Sequence, residues 1–245
     1  MGLLPLVVTQ MNFGIAVFLK KSHHSTSFTL NGYIAITMPT KNVFLPKQQR
    51  SQDTQRKLLN ALHFCLQDKF FEHITIKELS ARAGVSVGTF YRRFKDKESL
   101  LPLLYQDFGN DLSQWVTNLE LIEFTNLKEA LEKVSVETYQ FLSTRKSVFR
   151  TLHLNSRLHS ELLDSDKSVD RKVIYRRLVE ILLRFRQEIT AEDQSKVAEV
   201  AIFMIISGLL DKVLYPTLTP AIACEIDDAE FSIELPKIIL PYLTI

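Results

Sequence analysis

The stretch "GVSVGTFYRRFKDKESL", Gly84 to Leu100, combines features that an ordinary surface helix avoids. Gly88 stands just inside a helix start that Ser86 can cap, and a glycine inside a helix costs roughly 1 kcal/mol relative to alanine. Phe90 and Phe94 are four residues apart and form one side that must be buried. With those two pinned to a core, Val87, Gly88, Thr89, Tyr91, Arg92 and Arg93 cannot all turn inward, so several project outward. The first turn of such a helix has backbone N–H groups without intrahelical partners and the positive end of the dipole, which suit a phosphate or a base edge. Gly88 clears a close backbone approach. Thr89 adds a hydroxyl and a methyl, Tyr91 a phenol, and Arg92, Arg93, Lys95 and Lys97 add positive charge.

Immediately upstream, "ITIKELSARAG" ends at the same Gly84. Thr75 with Glu78 three positions on is a capping box that starts a helix at Ile76. Ile76, Leu79 and Ala83 face inward, and Gly84 ends the helix as a C-cap residue. Two helices joined by "AGVS", the second short and basic, describe a helix-turn-helix. A solvated charged face would account for "YRRFKDKE" alone. It would not account for the capping box, the turn glycine and the paired phenylalanines at matching spacing.

From about Gln52 to Asp111 the chain resembles the DNA-binding domain of the TetR/AcrR family of bacterial transcriptional regulators. The resemblance rests on "TIKELSARAGVS", on "GTFYRRF" and on "KDKESL" leading into a fourth helix. Ser80 stands where that family usually has alanine. The resemblance implies that Thr75 and Lys77 lie near the DNA backbone and that Ser86, Val87, Gly88 and Thr89 enter the major groove. It implies that Tyr91 and Lys97 hold phosphates and that Arg93 makes a further polar contact. Arg50 and Arg56 would touch the flanking backbone. It also implies an all-α domain for ligand binding and dimerisation in the remainder.

The rest of the chain reads as helix. "RSQDTQRKLLNALHFCLQDKFF" sets Leu59, Leu62, Leu66 and Phe70 on one stripe. Asp96 can cap the helix after the motif, in which Pro102 implies either a kink or a shifted start. Further helices are expected near Asp107–Glu123, Leu127–Ser143, Lys146–Asn155, Glu161–Glu188, Ala191–Tyr215 and Ala229–Leu243, with Thr190 capping the penultimate one. Its Ala198, Ile202, Ile205, Leu209 and Val213, with Phe231, Leu235, Ile238, Ile239 and Leu243 of the last helix, exceed one packing face. Such a pair of helices can form a four-helix bundle across a twofold.

Composition sets the outer limits. Of 245 residues, 46% are apolar and 24% charged, a globular balance, and seven glycines with eight prolines favour helices over a turn-rich sheet. The net charge of +2 hides an asymmetry. Residues 46–107 hold eleven Lys and Arg against seven Asp and Glu, whereas residues 216–245 hold one against five. Cys65 and Cys224 offer neither a disulfide framework nor metal-ligand spacing, which suits a cytoplasmic protein. The apolar run "AIFMIISGLL", Ala201–Leu210, is too short to span a membrane. The N-terminal apolar stretch has its lysines after rather than before it, unlike a secretory signal. Residues 1–47 lack a helical period and are expected to be a poorly ordered extension or to precede the true start, for which Met38 is the candidate.

The expected architecture is therefore all-α. A three-helix helix-turn-helix DNA-binding domain spans 48–112, with its motif at 75–94, and a larger helical ligand-binding and dimerisation domain spans 113–245. The expected function is a homodimeric repressor released from a palindromic duplex operator by a small-molecule inducer, with no membrane partner and no cofactor. An all-α ligand-binding or interaction protein that keeps the motif as scaffold is the alternative. A ligand cavity is expected among Trp115, Tyr139, Phe141, Phe149, His153 and His159, although core packing also explains each of them. The two histidines, six apart, do not share a helix face and make no metal pair. No nucleophile–base pairing or phosphate-cradling glycine loop supports an enzyme.

Overall fold

A computed structural model describes residues 47–158 and 170–244, and the expectations for residues 1–46, His159 and the start of the 161–188 helix lie outside them. Nine helices order the described residues: α1 (Lys47–Asp68), α2 (Ile76–Arg82), α3 (Val87–Tyr91), α4 (Leu101–Glu120), α5 (Leu127–Thr144), α6 (Lys146–Leu158), α7 (Arg171–Leu183), α8 (Gln194–Leu214) and α9 (Asp228–Thr244). There is no strand among them, and the all-α expectation is met.

The starts of the helices follow their capping chemistry. Thr75, Ser86, Asn126, Asp170 and Asp193 each accept a backbone N–H from the first turn that follows. The cap of α8 is thus Asp193 rather than Thr190. The helix begins three residues later than the sequence suggested because the aspartate reaches the Lys196 N–H at 3.0 Å. Pro102 falls in the first turn of α4, where its missing N–H costs nothing, so no kink arises. The expected separate helix at Asp107–Glu123 is the continuation of α4. Helix α7 ends at Leu183, short of Glu188, and a 3-10 turn at Arg186–Glu188 follows.

The buried face of α1 is Leu58, Ala61, Leu62, Cys65 and Leu66. Leu59, expected on that face, is half-buried, and Phe70 lies beyond the helix end and is exposed. Residues from Gln48 onward form one compact unit with a contiguous core. The boundary at 112/113 falls inside α4, so no linker separates the two expected parts. Helix α4 packs on α6 and α7, while α5 packs on α8 and α9. An Arg177 guanidinium from α7 grips Glu120 at the end of α4, with Nε 2.8 Å from one carboxylate oxygen, and this hydrogen-bonded pairing holds the Glu120 carboxyl below the usual range.

The apolar residues expected to make a dimer face divide between two surfaces. Ala198, Ile202, Ile205, Leu209 and Val213 are buried within the protomer, as are Leu235, Ile239 and Leu243, and Phe231 is half-buried. The uncovered apolar surface is instead Val200, Phe203 and Met204 on α8 with Ile233, Ile238 and Tyr242 on α9. Phe203 and Ile238 are each 68% exposed.

Candidate nucleic-acid interface and ligand cavity

The turn between α2 and α3 is built by backbone geometry that only its glycine accepts without strain. Gly84 adopts φ +66°, in the left-handed region. Its N–H donates to Ala81 O at 3.2 Å and the Val85 N–H to Ser80 O at 2.9 Å, which closes α2 with a Schellman motif. Ser86 Oγ then accepts the Thr89 N–H at 3.1 Å and opens α3. At the other end of α2, Thr75 Oγ1 accepts the Glu78 N–H at 3.2 Å. The Glu78 carboxylate accepts a hydrogen bond from Lys69 Nζ at 2.8 Å, and that bond, with help from the Thr75 N–H, holds its pKa low.

Phe90 is fully buried and meets Phe94 with ring centroids 5.5 Å apart. Helix α3 itself stops at Tyr91, so Phe94 packs from the turn beyond it, half-buried. The anchor leaves Val87, Gly88, Tyr91 and Arg92 exposed, Tyr91 by 57%. Thr75, Lys77, Ser86 and Lys95 are exposed as well, so most of the residues singled out in the sequence are open to a partner. Gly88 is not in a positive-φ conformation, and a Cβ built on it would meet only Ser86 Oγ at 3.9 Å. Nothing inside the protein requires glycine there.

Three expected contact residues are engaged within the protein. Thr89 Oγ1 lies 2.9 Å from Ser86 Oγ and accepts from Arg92 Nη2 at 2.8 Å, a local network still at the surface. Arg93 turns back to α1, where its Nη1 donates to Ser51 Oγ at 2.5 Å. Lys97 donates to three backbone carbonyls, those of Phe71 (2.9 Å), Glu72 (2.8 Å) and Ile74 (3.3 Å), with its ammonium 4.8 Å from the Phe71 ring centroid. A phosphate at Lys97 would have to displace one of these carbonyls. The physical reason is proximity: the 3-10 turn after α1 brings three carbonyls within reach of one ammonium, and an ammonium has three donors. Arg93 and Lys97 therefore brace the motif rather than face outward. Arg56, expected on the flanking DNA backbone, pairs with Asp53 at 3.1 Å, while Arg50 is exposed.

In the larger helical part, α4, α5, α6, α7 and α8 enclose a cavity of about 160 Å³. Of the residues expected there, Trp115, Phe141, Phe149 and His153 line it, whereas Tyr139 packs against the core outside it. The rings pair as walls: Phe108 stacks on Phe149 and Trp115 on Phe141, both at 4.9 Å between centroids. His153 Nδ1 lies 2.6 Å from the Tyr215 hydroxyl, and burial pushes the imidazole pKa down. Sequence reasoning missed Tyr105, Phe108, Leu112 and Arg171. The first three, with Trp115, recur at spacings of three and four, a helical stripe that becomes visible once α4 is taken as one helix from Leu101.

Two contacts tie the cavity-bearing helices to the motif-bearing part. Asp107 of α4 lies 2.7 Å from His63 Nε2 of α1. Arg150 of α6, next to the cavity residue Phe149, sets its guanidinium 4.1 Å from the Phe70 ring centroid.

Comparison with known proteins agrees with this geometry. Residues 58–109 match the family model of bacterial regulatory proteins, tetR family. The chain is 28% identical over 88 residues to the transposon Tn10 TetC protein of Escherichia coli, a match covering 36% of this chain and 44% of that protein. It is 25% identical over 189 residues to the HTH-type transcriptional regulator BetI of Klebsiella pneumoniae (strain 342), covering 71% of this chain and 94% of that one. Among solved structures, a TetR-family regulator from Mesorhizobium loti superposes with a TM-score of 0.55 at 18% identity, covering 80% of this chain and 99% of the other. That last likeness concerns the fold alone.

Proposed function

We propose that the chain, residues 58–109 of which match the family model of bacterial regulatory proteins, tetR family, is a homodimeric, sequence-specific transcriptional repressor released from a palindromic operator by a small molecule. The observation that carries the DNA-binding reading is Gly88. It sits in a helix, exposed, without positive φ and without any neighbour that would exclude a side chain. A residue that weakens its own helix and relieves no internal crowding is explained by something that approaches from outside. Ser86, Val87, Gly88 and Thr89 enter the major groove, Tyr91, Arg92, Lys95 and Lys77 hold phosphates, and Thr75 lies beside the backbone. Arg93 and Lys97 stabilise the framework that presents them.

The uncovered residues of α8 and α9 supply the dimer face. Two copies would set their α3 helices about 34–36 Å apart, one turn of duplex, and so select a palindrome. Phe203→Glu should yield a monomer in sedimentation analysis, and a dimer for that variant would refute this face. Release follows from α4 and α6, which line the cavity and also touch the motif-bearing part through His63 and Phe70. A ligand that favours a different setting of these helices weakens DNA binding, and DNA weakens ligand binding by the same factor. Selection from random duplex DNA at moderate salt tests the whole reading. An enriched palindrome is the expected result, and its absence would leave the motif as scaffold.

A further inference from the structure

We propose that the cavity takes a single-ring aromatic carboxylate, its ring against the cluster of Phe108, Phe149, Trp115 and Phe141 and its carboxylate at Arg171. The proposal rests on the ligand-released reading for its regulatory meaning. The binding test below contains no DNA, so either can fail alone.

Size comes first. The cavity measures about 160 Å³, and a dry apolar cavity of about 150 Å³ accommodates benzene. One ring fits without rearrangement. The lining suits an aromatic guest, because Phe108 meets both Phe149 and Phe141 and Trp115 meets Phe141, a contiguous ring cluster that a further ring can join by offset or edge contact.

Polarity narrows the class further. The hydroxyls of Tyr105, Thr138 and Ser156 already donate to the carbonyls of Leu152 (2.7 Å), Val134 (2.7 Å) and His153 (3.0 Å). The Trp115 indole N–H is buried and finds no acceptor among the described residues. The charge on the lining sets the sign of the guest. Among the described residues no Asp or Glu lines the cavity, and the one formal charge there is Arg171, whose guanidinium lies 5.9 Å from the Tyr105 ring centroid. A cationic guest would find aromatic faces but no counter-ion and a fixed positive charge. An anionic guest finds a guanidinium that matches a carboxylate fork. Arg171 is exposed, so the carboxylate keeps part of its hydration while the ring is buried.

The test is calorimetric titration of the full-length protein with benzoate, benzyl alcohol and benzyltrimethylammonium, read in parallel by the fluorescence of Trp115, the only tryptophan of the chain. Benzoate should bind most tightly and perturb the emission. Arg171→Gln should weaken benzoate at least tenfold and leave benzyl alcohol unchanged. Benzyltrimethylammonium binding as tightly as benzoate would overturn the proposal. So would Arg171→Gln leaving benzoate unaffected, or benzoate failing to saturate by millimolar concentration.

Discussion

Replacing Gly88 by alanine should move stability and DNA affinity in opposite directions. In the free protein the new methyl meets only Ser86 Oγ, at 3.9 Å, and the backbone is one that an L-residue accepts. No strain offsets the gain in helix propensity, which in a first turn is about 0.5 kcal/mol, the lower end of the glycine-to-alanine range. For a chain of this size that raises the melting temperature by roughly 1–2 °C. On DNA the same methyl occupies the gap through which the backbone approaches the groove, and affinity should fall at least tenfold, about 1.4 kcal/mol. Calorimetric melting and fluorescence anisotropy on the selected duplex, at fixed salt, measure the two effects on one sample. Unchanged affinity with raised stability would refute the groove role, and lowered stability would refute the claim that the glycine has no internal purpose.

Three further outcomes follow from the same geometry. Ser80 is 1% exposed and its hydroxyl has no partner among the described residues, so Ser80→Ala should stabilise by about 1 kcal/mol in urea unfolding; a loss of stability would reveal a bond not seen here. Lys97→Met should cost about 2 kcal/mol of stability while leaving the salt slope of DNA binding nearly unchanged, because its protons are held by carbonyls, whereas Lys95→Gln should reduce that slope by about 0.9. The reverse pattern, measured by anisotropy between low and moderate salt, would restore Lys97 as a phosphate contact. Burial, assisted by Arg157 and opposed by Asp211, depresses the His153 pKa. A histidine depressed on folding contributes stability that is complete above its unfolded value of about 6.5 and lost as pH falls through the folded one. The melting temperature should therefore drop between about pH 7.5 and about pH 5, less steeply in His153→Asn; equal slopes would exclude the imidazole.

The motif was legible because its signals are local. A capping threonine, a positive-φ glycine and a capping serine each act within four residues, and the structure realises all three. The buried phenylalanine pair was legible for the same reason. The destinations of long side chains were not. Arg93 and Lys97 reach Ser51 and the Phe71–Ile74 turn across 42 and 23 to 26 residues of sequence. No spacing rule could distinguish such braces from charges turned to solvent. Which apolar stripe of α8 stays uncovered was misread through a similar gap. The apolar excess on α8 was real, but its residues at i, i+4 and i+7 from Ala198 serve the protomer core, and the excess lies one step round the helix at Val200, Phe203 and Met204. Hydrophobic period reports how much apolar surface a helix has, and only the packing of its neighbours shows which stripe is left over.

The same limit bears on how the two halves communicate. Division of the chain at residue 112 invites the picture of a reader domain joined to a sensor by a hinge. Helix α4 runs without interruption from the turn stabilised by Asp96, past His63, to the cavity wall at Trp115 and the clamp at Glu120. A rigid rod with one end fixed by Arg177 and its middle at the cavity would convert a small tilt there into a larger displacement at its other end, where α1 and the motif are attached. Helix α6 adds a second lever, because Phe149 faces the cavity and its neighbour Arg150 covers Phe70. Packed helices are bistable rather than continuously deformable. Two levers that meet the motif at different points favour a rotation of that part as a body over a local bend. The braces at Arg93 and Lys97 then have a purpose beyond stability: they keep α1, α2 and α3 one rigid piece, so that a shift of α4 reaches Gly88 undiminished.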